Sequence, residues 1–331
     1  MVIHALMPDI HHRLTGGSIY NRRILDGLAR SSEVEVHLSP TANHAELPGG
    51  LWLVDSLCIE EGAAHLAKRT DASGVLIAHY LEILDPDRSR STRAATESSL
   101  LANYRGVVTS SRFARNALRE TSFQGHVEAI SPGLDGAYRQ PVARSTDSQR
   151  SAIVTVASVL PDKGLTGMLD ALETLSELSW SWEVIGDTDL NTDFAHEFGE
   201  RVARSPVSDR IKFRGPLSPQ DVIDAYDRAD IFALPSRFET CSMATMEAMS
   251  RGLPVAAYRV GGLPDLLPEG SRRVLAEPGD RAGWRESLRN LIVNPAERLR
   301  LGEMNRDATN GFPSWDECSR AMQRFLERFL R

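Results

Sequence analysis

The chain has 331 residues, carries 38 Lys and Arg against 45 Asp and Glu, and has a formal net charge of −7. This length exceeds one small core, so two domains of about 150 residues are expected. The negative charge argues against nucleic acid as the main partner. Cys58, Cys241 and Cys318 lie far apart without a CxxC pair. They therefore form neither a zinc site nor a disulfide framework, and they fit a reducing cytosol.

Short apolar runs alternate with amphipathic stretches through the first half of the chain. The runs that predict strands are VIHAL, VEVHL, LWLVD, GVLIAHY, GVVTSS and HVEAI. Helices are predicted between them at SIYNRRILDGLARS, EEGAAHLAKR and SSRFARNALRET. The N-terminal MVIHALMPDI enters the first strand without the features of a signal peptide. No apolar run approaches the roughly 18 residues of a membrane span.

The second half repeats this alternation after a polar stretch of linker composition, RQPVARSTDSQRS (139–151). Strands are predicted at SAIVTVASV, WSWEVIGD, RIKFRG, IFALPS and LPVAAY, with helices at LTGMLDALETLSEL, SPQDVIDAYDRA and the segment after IFALPS. Alternating strands and helices indicate parallel sheets. We therefore predict an α/β protein of two doubly wound, Rossmann-like domains that face a central cleft, with ligands at the carboxyl ends of the strands.

The segment RFETCSMATMEAMSRGLPVA (237–256) places two carboxylates around a small-residue turn. Met243, Met246 and Met249 predict the buried stripe of a short helix that Gly252 ends. The first turn of a helix offers unpaired N–H groups that bind a phosphate. The residues that would offer them are Ser242, Met243 and Ala244.

Glu239 and Glu247 would repel a phosphate unless they bind another group. Sugar and ribose rings carry vicinal hydroxyls, which an ionised carboxylate accepts. A nucleotide-sugar, in which a diphosphate joins two hydroxylated rings, satisfies all of these features. The alternative is that both carboxylates are cap or surface residues that the helix dipole favours.

The stretch ADIFALPSRFETCSMATMEAMSRGLPVAAYRVGGLPDLL (229–267) resembles the donor-binding signature of retaining glycosyltransferases of family four, which have the GT-B fold. The family's E-x7-E motif, G-x-P-V strand and G-G-x-P-[DE] loop are all present, through Gly252, Pro254, Val255, Gly261, Gly262, Pro264 and Asp265. Further resemblances lie in TGGSIYNRRIL (15–25), LIAHY, ISPGLDGAYRQP (130–141) and VASVLPDKGL (156–165).

The resemblance implies metal-independent transfer of a sugar from a UDP- or GDP-linked donor with retention of configuration. Lys163 would neutralise the β-phosphate, Glu239 would hold the transferred sugar and Glu247 the ribose. His79 would contact the sugar near the reacting carbon, so that His79, Lys163 and Glu239 are the candidate catalytic residues. The remaining donor candidates are Gly16, Gly17, Ser158, Arg214, Leu217, Ser242, Met243 and Ala244, and Asp9, His11 and His12 are candidates for the acceptor pocket.

The chain departs from the family at the diphosphate clamp. Ser158 stands where the family usually has an arginine, and Cys241-Ser242 replaces a phenylalanine–glycine pair. A lost charge-assisted contact weakens phosphate binding by about 1.5–3 kcal/mol unless another group replaces it. Arg13, Arg22 and Arg23 are candidates for that replacement. An unusual donor or a catalytically weakened nucleotide-sugar-binding protein are the alternatives.

Other functions are less consistent with the motifs. An epimerase of the GT-B architecture would lack this motif set, and a phosphorylase would need a pyridoxal lysine motif. A dehydrogenase would need a GxGxxG after its first strand. The His11-His12 pair has no third metal ligand at suitable spacing, so neither a metal nor another cofactor is expected.

The acceptor is expected to be a small molecule, a glycan or a lipid headgroup. Arginines cluster between 88 and 119, and they form either a solvated helical face or a surface for an anionic acceptor or membrane: Arg88, Arg90, Arg93, Arg105, Arg112, Arg115 and Arg119. We expect a cytoplasmic protein, with peripheral binding at the inner membrane face as the alternative.

The C-terminal FPSWDECSRAMQRFLERFLR begins with a capping box, Ser314 with Glu317, and continues as an amphipathic helix. The resemblance implies that residues 313–331 cross back to an N-terminal acceptor-binding domain (1–143) from a nucleotide-sugar-binding domain (144–312). Trp315, Met322, Phe325 and Phe329 would bury an apolar stripe, partly against the N-terminal domain. The alternative is a closing helix of the second domain.

Overall fold

The computed structural model describes residues 1–8, 15–31, 34–39, 48–140, 142 and 150–330. The chain divides into two compact units, Met1–Gly133 with Pro313–Arg331, and Leu134–Phe312. The predicted boundary after residue 143 therefore lies too late in the chain. The boundary lies earlier because Leu134 and Tyr138 pack in the apolar core of the second unit. The Tyr138 ring lies 6.2 Å from the Tyr226 ring there.

The first unit is built on a six-stranded parallel sheet with strand order β2-β1-β3-β4-β5-β6. Its strands are β1 (Val2–Leu6), β2 (Glu35–Ser39), β3 (Gly50–Asp55), β4 (Ala72–Ala78), β5 (Gly106–Thr109) and β6 (His126–Ala129). Its helices are α1 (Gly16–Ala29), α2 (Ile59–Leu66), α3 (Thr92–Leu101), α4 (Arg112–Arg119) and α13 (Trp315–Leu326). Every predicted strand of this half is confirmed, whereas α3 was not predicted.

The C-terminal helix α13 packs within the first unit. The predicted capping box at Ser314 and Glu317 is present at its start. The Trp315 ring lies 5.9 Å from the Tyr20 ring of α1. A Cβ atom at Gly106 of β5 would lie 2.6 Å from the Phe329 ring, so the glycine allows close approach. Trp315, Met322, Phe325 and Phe329 are all buried.

The second unit contains a five-stranded parallel sheet with order β11-β10-β7-β8-β9. Its strands are β7 (Ser151–Val156), β8 (Trp180–Ile185), β9 (Ile211–Gly215), β10 (Ile231–Leu234) and β11 (Val255–Ala257). Its helices are α5 (Leu165–Glu173), α6 (Thr192–Ala203), α7 (Pro219–Arg228), α8 (Met243–Ser250), α9 (Leu263–Leu266), α10 (Glu269–Arg272), α11 (Arg281–Val293) and α12 (Pro295–Ala308). All five predicted strands are confirmed.

Two apolar clusters cover the two faces of this second sheet. Trp180, Trp182 and Phe198 belong to one, and Tyr226 and Phe232 belong to the other. A sheet that is buried on both faces explains why its strands are almost continuously apolar. In the described ranges no helix has the length and apolar character needed to cross a membrane. Two separate doubly wound sheets therefore form the frame on which the candidate site residues lie.

Candidate functional site

Backbone contacts hold the carboxyl ends of β7, β8 and β9 close together. The Gly186 N–H, which follows β8, donates to the Gly215 carbonyl at the end of β9 at 3.0 Å. A Cβ atom at Gly186 would lie 1.8 Å from the Ala157 carbonyl oxygen, so only glycine permits this approach. Ser158 follows Ala157 and is half-buried. The predicted donor residue Ser158 therefore lies at the carboxyl edge of the sheet.

Lys163 and Glu239 form an ion pair at this edge. The Lys163 Nζ lies 2.6 Å from the Glu239 Oε1, and their side chains are 24% and 10% exposed. A charge-assisted bond of this length holds both side chains in one geometry. The predicted phosphate-binding cation and sugar-binding carboxylate are thus brought together from distant parts of the sequence.

Two backbone contacts fix the loops that carry this ion pair. Gly164 has φ +68°, and a Cβ atom there would lie 2.0 Å from the Pro235 carbonyl oxygen. The Arg237 N–H donates to the Asp162 carbonyl at 2.9 Å. The loop after β7 and the loop after β10 therefore run in direct contact, which places Lys163 beside the residues that lead into α8.

Glu239 is held in turn by the loop after β11. Its carbonyl accepts a hydrogen bond of 2.8 Å from the Gly262 N–H. Gly261 has φ +51°, and a Cβ atom there would lie 1.9 Å from the same carbonyl oxygen. The paired glycines of the G-G-x-P-D loop therefore serve to seat the Glu239 backbone.

Helix α8 begins directly after this pair. Ser242 is its N-cap and accepts a hydrogen bond of 3.2 Å from the Thr245 N–H. The Met243 and Ala244 N–H groups lie in the first turn, where a helix offers no internal acceptor. Met246 and Met249 are buried, but Met243 is only half-buried. The predicted three-methionine stripe is wrong at Met243, because the helix begins there, ahead of the part that packs on the core.

Glu247 lies on α8, half-buried, with its Oε2 3.2 Å from the Tyr226 hydroxyl. Burial raises the pKa of the Glu247 carboxyl to about 8, and the negative charge of Asp135 acts in the same direction. Hydrogen bonds from Tyr226 and Tyr138 partly offset this rise. Glu247 therefore keeps its proton to a higher pH than an ordinary surface carboxylate does.

Arg214 and Leu217 lie farther along β9 and its loop. The Arg214 Nε is 3.0 Å from the Glu183 Oε1. Arg214 and Leu217 line a cavity of about 420 Å³. The other residues that line it are Glu183, Lys212, Asp221 and Arg228. Among the described residues, the lining of this cavity does not include Lys163 or Glu239.

The first unit has a polar cluster of its own around His79, which follows β4. The His79 Nε2 lies 2.8 Å from the Asn21 Oδ1 and 3.4 Å from the Asp55 Oδ2. A Cβ atom at Gly17 would lie 3.2 Å from the His79 Cδ2, so the glycine lets α1 approach the ring closely. Gly16 is the first residue of that helix. Burial lowers the pKa of the His79 ring, and the negative charge of Asp55 opposes this shift.

Sequence reasoning missed several residues that the structure places beside the candidates. Asn21 is on the buried face of an amphipathic helix, and Asp55 ends the otherwise apolar strand LWLVD. A carboxylate at the end of an otherwise apolar run was the signal available in the sequence. Tyr226 could not be found from sequence, because only packing brings it to Glu247. Asp9, His11, His12 and Arg13 lie outside the described residues.

Several members of the arginine cluster have partners within the chain. Arg88 pairs with Glu82 at 3.7 Å, and Arg93 pairs with Glu97 at 3.3 Å. The Arg119 guanidinium donates to the Val127 carbonyl at 3.1 Å. These contacts favour the solvated face over a dedicated anion surface.

Residues 150–294 match the family model described as Glycosyl transferases group 1. The chain is 29% identical to D-inositol 3-phosphate glycosyltransferase of Corynebacterium efficiens over 57% of its own length and 48% of the relative's. It is 30% identical to a sulfoquinovosyl transferase of Arabidopsis thaliana over 50% of its length and 31% of the relative's. The chain thus spans about half or less of the length of these curated relatives.

Solved structures extend the likeness to the whole chain. Sucrose-phosphate synthase from Thermosynechococcus elongatus has a TM-score of 0.82 at 18% identity, covering 99% of this chain and 98% of that one. Anabaena HepE in complex with UDP and glucose has a TM-score of 0.77 at 17% identity, covering 99% and 100%. At these identities the likeness shows the fold, and the predicted GT-B architecture is confirmed. The family model places residues 150–294 in glycosyl transferases group 1, which confirms the resemblance that the motifs carry.

Proposed function

We propose that the protein is a retaining glycosyltransferase that moves a sugar from a UDP- or GDP-linked donor to a hydroxylated acceptor, without a metal or other cofactor. The observation that carries the proposal is the 2.6 Å pair of Lys163 and Glu239 at the start of α8. The matching family model and the glycosyltransferase names of the curated relatives support it.

Lys163 and the first turn of α8 would hold the diphosphate. Lys163 supplies a full positive charge, and the Met243 and Ala244 N–H groups supply the positive end of a helix dipole. Both stabilise the negative charge that grows on the leaving diphosphate as the glycosidic bond breaks. Fixed donors of this kind need no rearrangement during the reaction.

Glu239 and Glu247 would bind hydroxyls at the two ends of the donor. Glu239 is held by Lys163 and by the loop at Gly261, so its free acceptor positions are fixed for the transferred sugar. Glu247 would accept from the ribose hydroxyls, and it must release its proton to do so fully. Two carboxylates beside a phosphate site bind the ligand and do not attack it. His79, in the first unit, would bind a sugar hydroxyl.

Arg237 is our candidate for the cation that Ser158 does not provide. Its side chain is exposed, and its backbone N–H is bonded to Asp162, the neighbour of Lys163. An arginine at this place can supply a second charge-assisted contact to a phosphate. The candidate lies on the same loop as Glu239 and needs no contribution from Arg13, Arg22 or Arg23.

Ser158 also supports a second candidate function, a nucleotide-sugar-binding protein with weakened catalysis. Without an arginine there, one phosphate contact is lost, which costs about 1.5–3 kcal/mol if no other group replaces it. This protein would bind a nucleoside diphosphate and transfer no sugar.

Purified protein should be incubated with UDP-, GDP- and ADP-sugars in the presence of EDTA and a panel of acceptors. The panel should hold inositol phosphate, hexose phosphates and lipid headgroups, since relatives are named for inositol phosphate and sucrose phosphate. We expect release of nucleoside diphosphate and a product whose anomeric configuration, read by proton NMR, matches that of the donor. Binding without product would favour the second candidate, and neither binding nor product would contradict both.

A further inference from the structure

The His79 cluster contains two polar side chains that are shielded from solvent. Asn21 is 0% exposed and Asp55 is 1% exposed, whereas the His79 side chain is 18% exposed. Burial of an ionised carboxylate is costly unless several donors compensate it. A hydrophobic pair would fill the same space at lower cost, so this cluster calls for a reason beyond packing.

The donors and acceptors of the cluster allow one assignment. The Asp55 Oδ1 accepts from the Leu57 N–H at 2.6 Å, and its Oδ2 accepts from the Asn21 side-chain amide. An amide nitrogen donates and a carboxylate oxygen accepts, so the Asn21 Nδ2 is the atom that faces Asp55. The Asn21 Oδ1 then faces His79 as an acceptor, 2.8 Å from Nε2. The Nε2 must therefore carry the ring proton.

We propose that Asp55 and Asn21 are positioning residues that hold His79 in its Nε2–H tautomer, in which Nδ1 is the ring nitrogen with the chemistry to accept a hydroxyl. The tautomer follows from this chain's own contacts, and only the hydroxyl ligand rests on the proposed function. Asp55 acts on His79 through the side-chain amide of Asn21. The amide nitrogen donates to the Asp55 carboxylate, and this orientation points the amide oxygen at the His79 ring.

One ring contact and two supporting hydrogen bonds help to fix the position of His79. The Tyr20 ring meets the His79 ring edge-on at 5.2 Å, and the Tyr20 hydroxyl is itself anchored to the Ile130 carbonyl at 2.9 Å. The backbone N–H of His79 donates to the Ser56 Oγ at 3.3 Å. With the ring position and tautomer both fixed, a ligand hydroxyl meets a preorganised acceptor.

The test is the ¹⁵N NMR spectrum of the His79 imidazole, which separates the two neutral tautomers by their nitrogen shifts and couplings. In the unmodified protein near pH 7.5 we expect a protonated Nε2 and an unprotonated Nδ1. This measurement needs no variant and no substrate. A proton on Nδ1, or on both nitrogens, would overturn the proposal even if every variant failed to fold.

The variant Asp55→Asn tests whether Asp55 sets the tautomer of His79. The new amide has one acceptor oxygen, which the Leu57 N–H occupies, so its nitrogen faces Asn21 and turns the Asn21 amide over. The Asn21 nitrogen would then face the ring, and the tautomer should change to Nδ1–H. Asp230→Asn is the matched control, because the Asp230 carboxylate also accepts a backbone N–H, from Ala152 at 2.8 Å, but lies in the second unit. An unchanged tautomer in folded Asp55→Asn would refute control by Asp55.

Kinetics give a readout that depends on the proposed function. For an active transferase, we expect Asp55→Asn to lower kcat at least tenfold while the Kd for free nucleoside diphosphate changes less than twofold. A changed tautomer with full kcat would reject the role of His79 as a ligand acceptor. An unmodified protein without any transfer would reject the proposed function, yet the tautomer measurements would stand.

Discussion

The Lys163 ammonium lies 2.6 Å from the Glu239 carboxylate, and this pair joins the loop after β7 to the entry of α8. The two opposite charges compensate each other at this distance. A diphosphate near Lys163 would share that ammonium with Glu239, and a sugar hydroxyl would occupy the remaining acceptor positions of Glu239. In the proposed donor complex, this ion pair would therefore lie between the diphosphate and the transferred sugar.

Glu239→Gln keeps the shape of the side chain and removes its charge. We expect turnover to fall at least tenfold, because a neutral amide accepts the hydroxyls of the transferred sugar less strongly than a carboxylate does. Affinity for free nucleoside diphosphate, measured by calorimetry, should be nearly kept. Glu277→Gln is the control, since Glu277 forms an exposed ion pair with Arg259 at 2.8 Å. Normal turnover in Glu239→Gln would show that the E-x7-E segment is only a capped helix, without a role in the reaction.

Arg237→Ala should weaken binding of the nucleoside diphosphate by about ten- to a hundredfold, equivalent to about 1.5–3 kcal/mol for a lost charged contact. Binding of the corresponding nucleoside, which has no phosphate, should not change. Arg259→Ala removes a half-buried arginine that pairs with Glu277, and it provides the comparison. Equal losses for nucleoside and diphosphate would show that Arg237 acts on the fold and not on a phosphate.

The raised pKa of Glu247, about 8, predicts a pH dependence of binding. The ionised carboxylate accepts ribose hydroxyls best, so the Kd for nucleoside diphosphate should fall as the pH rises from 6 towards 8 and then level off. Glu247→Gln should weaken binding and remove this dependence. Tyr226→Phe removes a hydrogen bond that lowers the pKa, so its midpoint should move to higher pH. A Kd that is flat with pH would contradict the assignment.

The same pKa has a consequence for stability. The folded state holds the Glu247 proton to about pH 8, whereas the unfolded chain releases it near its ordinary value of 4.5. The contribution of this group to stability is therefore present below the unfolded pKa and is lost as the pH rises through the folded pKa. Urea unfolding of Glu247→Gln should lack that decline.

Gly261→Ala should destabilise the second unit by at least about 2 kcal/mol, from a strained backbone and from overlap with the Glu239 carbonyl. Gly279→Ala is the matched control, because Gly279 also has positive φ, +79°, with no heavy atom within 4 Å of its added Cβ. That control should cost about 1 kcal/mol from backbone strain alone. If Gly261→Ala and Gly279→Ala lower the free energy of unfolding by similar amounts in thermal or urea unfolding, the close approach of Gly261 to Glu239 does not contribute to stability.

Phe325→Ala should cost about 3–5 kcal/mol, because Phe325 is 2% exposed in the packing of α13. Leu330→Ala, at a side chain 50% exposed near the same terminus, should change stability by less than about 0.5 kcal/mol. Removal of all residues after Asn310 should expose the α13 contact surface and reduce soluble yield. A truncated protein with an unchanged unfolding transition would show that α13 adds nothing to the first unit.

The sequence by itself determined the two parallel sheets, since each strand is an apolar run with its own turn signals. It also determined the capping box at Ser314, because that motif is local to four residues. Helix α12 escaped prediction because its PAERLRLGEMNRDA segment carries charges on nearly every turn. The chemistry of Lys163, Glu239 and Glu247 came from local motifs and the resemblance they carry.

Only the tertiary structure decided which groups surround those residues. The Lys163–Glu239 pair depends on Gly164 fitting against Pro235, a contact between loops far apart in sequence. The pKa of Glu247 depends on burial beside Tyr226, and the tautomer of His79 depends on a chain of donors through Asn21 to Asp55. Charge state and proton position are set by the atoms that surround a group. Most of those atoms come from other segments, so spacing along one segment does not reveal them.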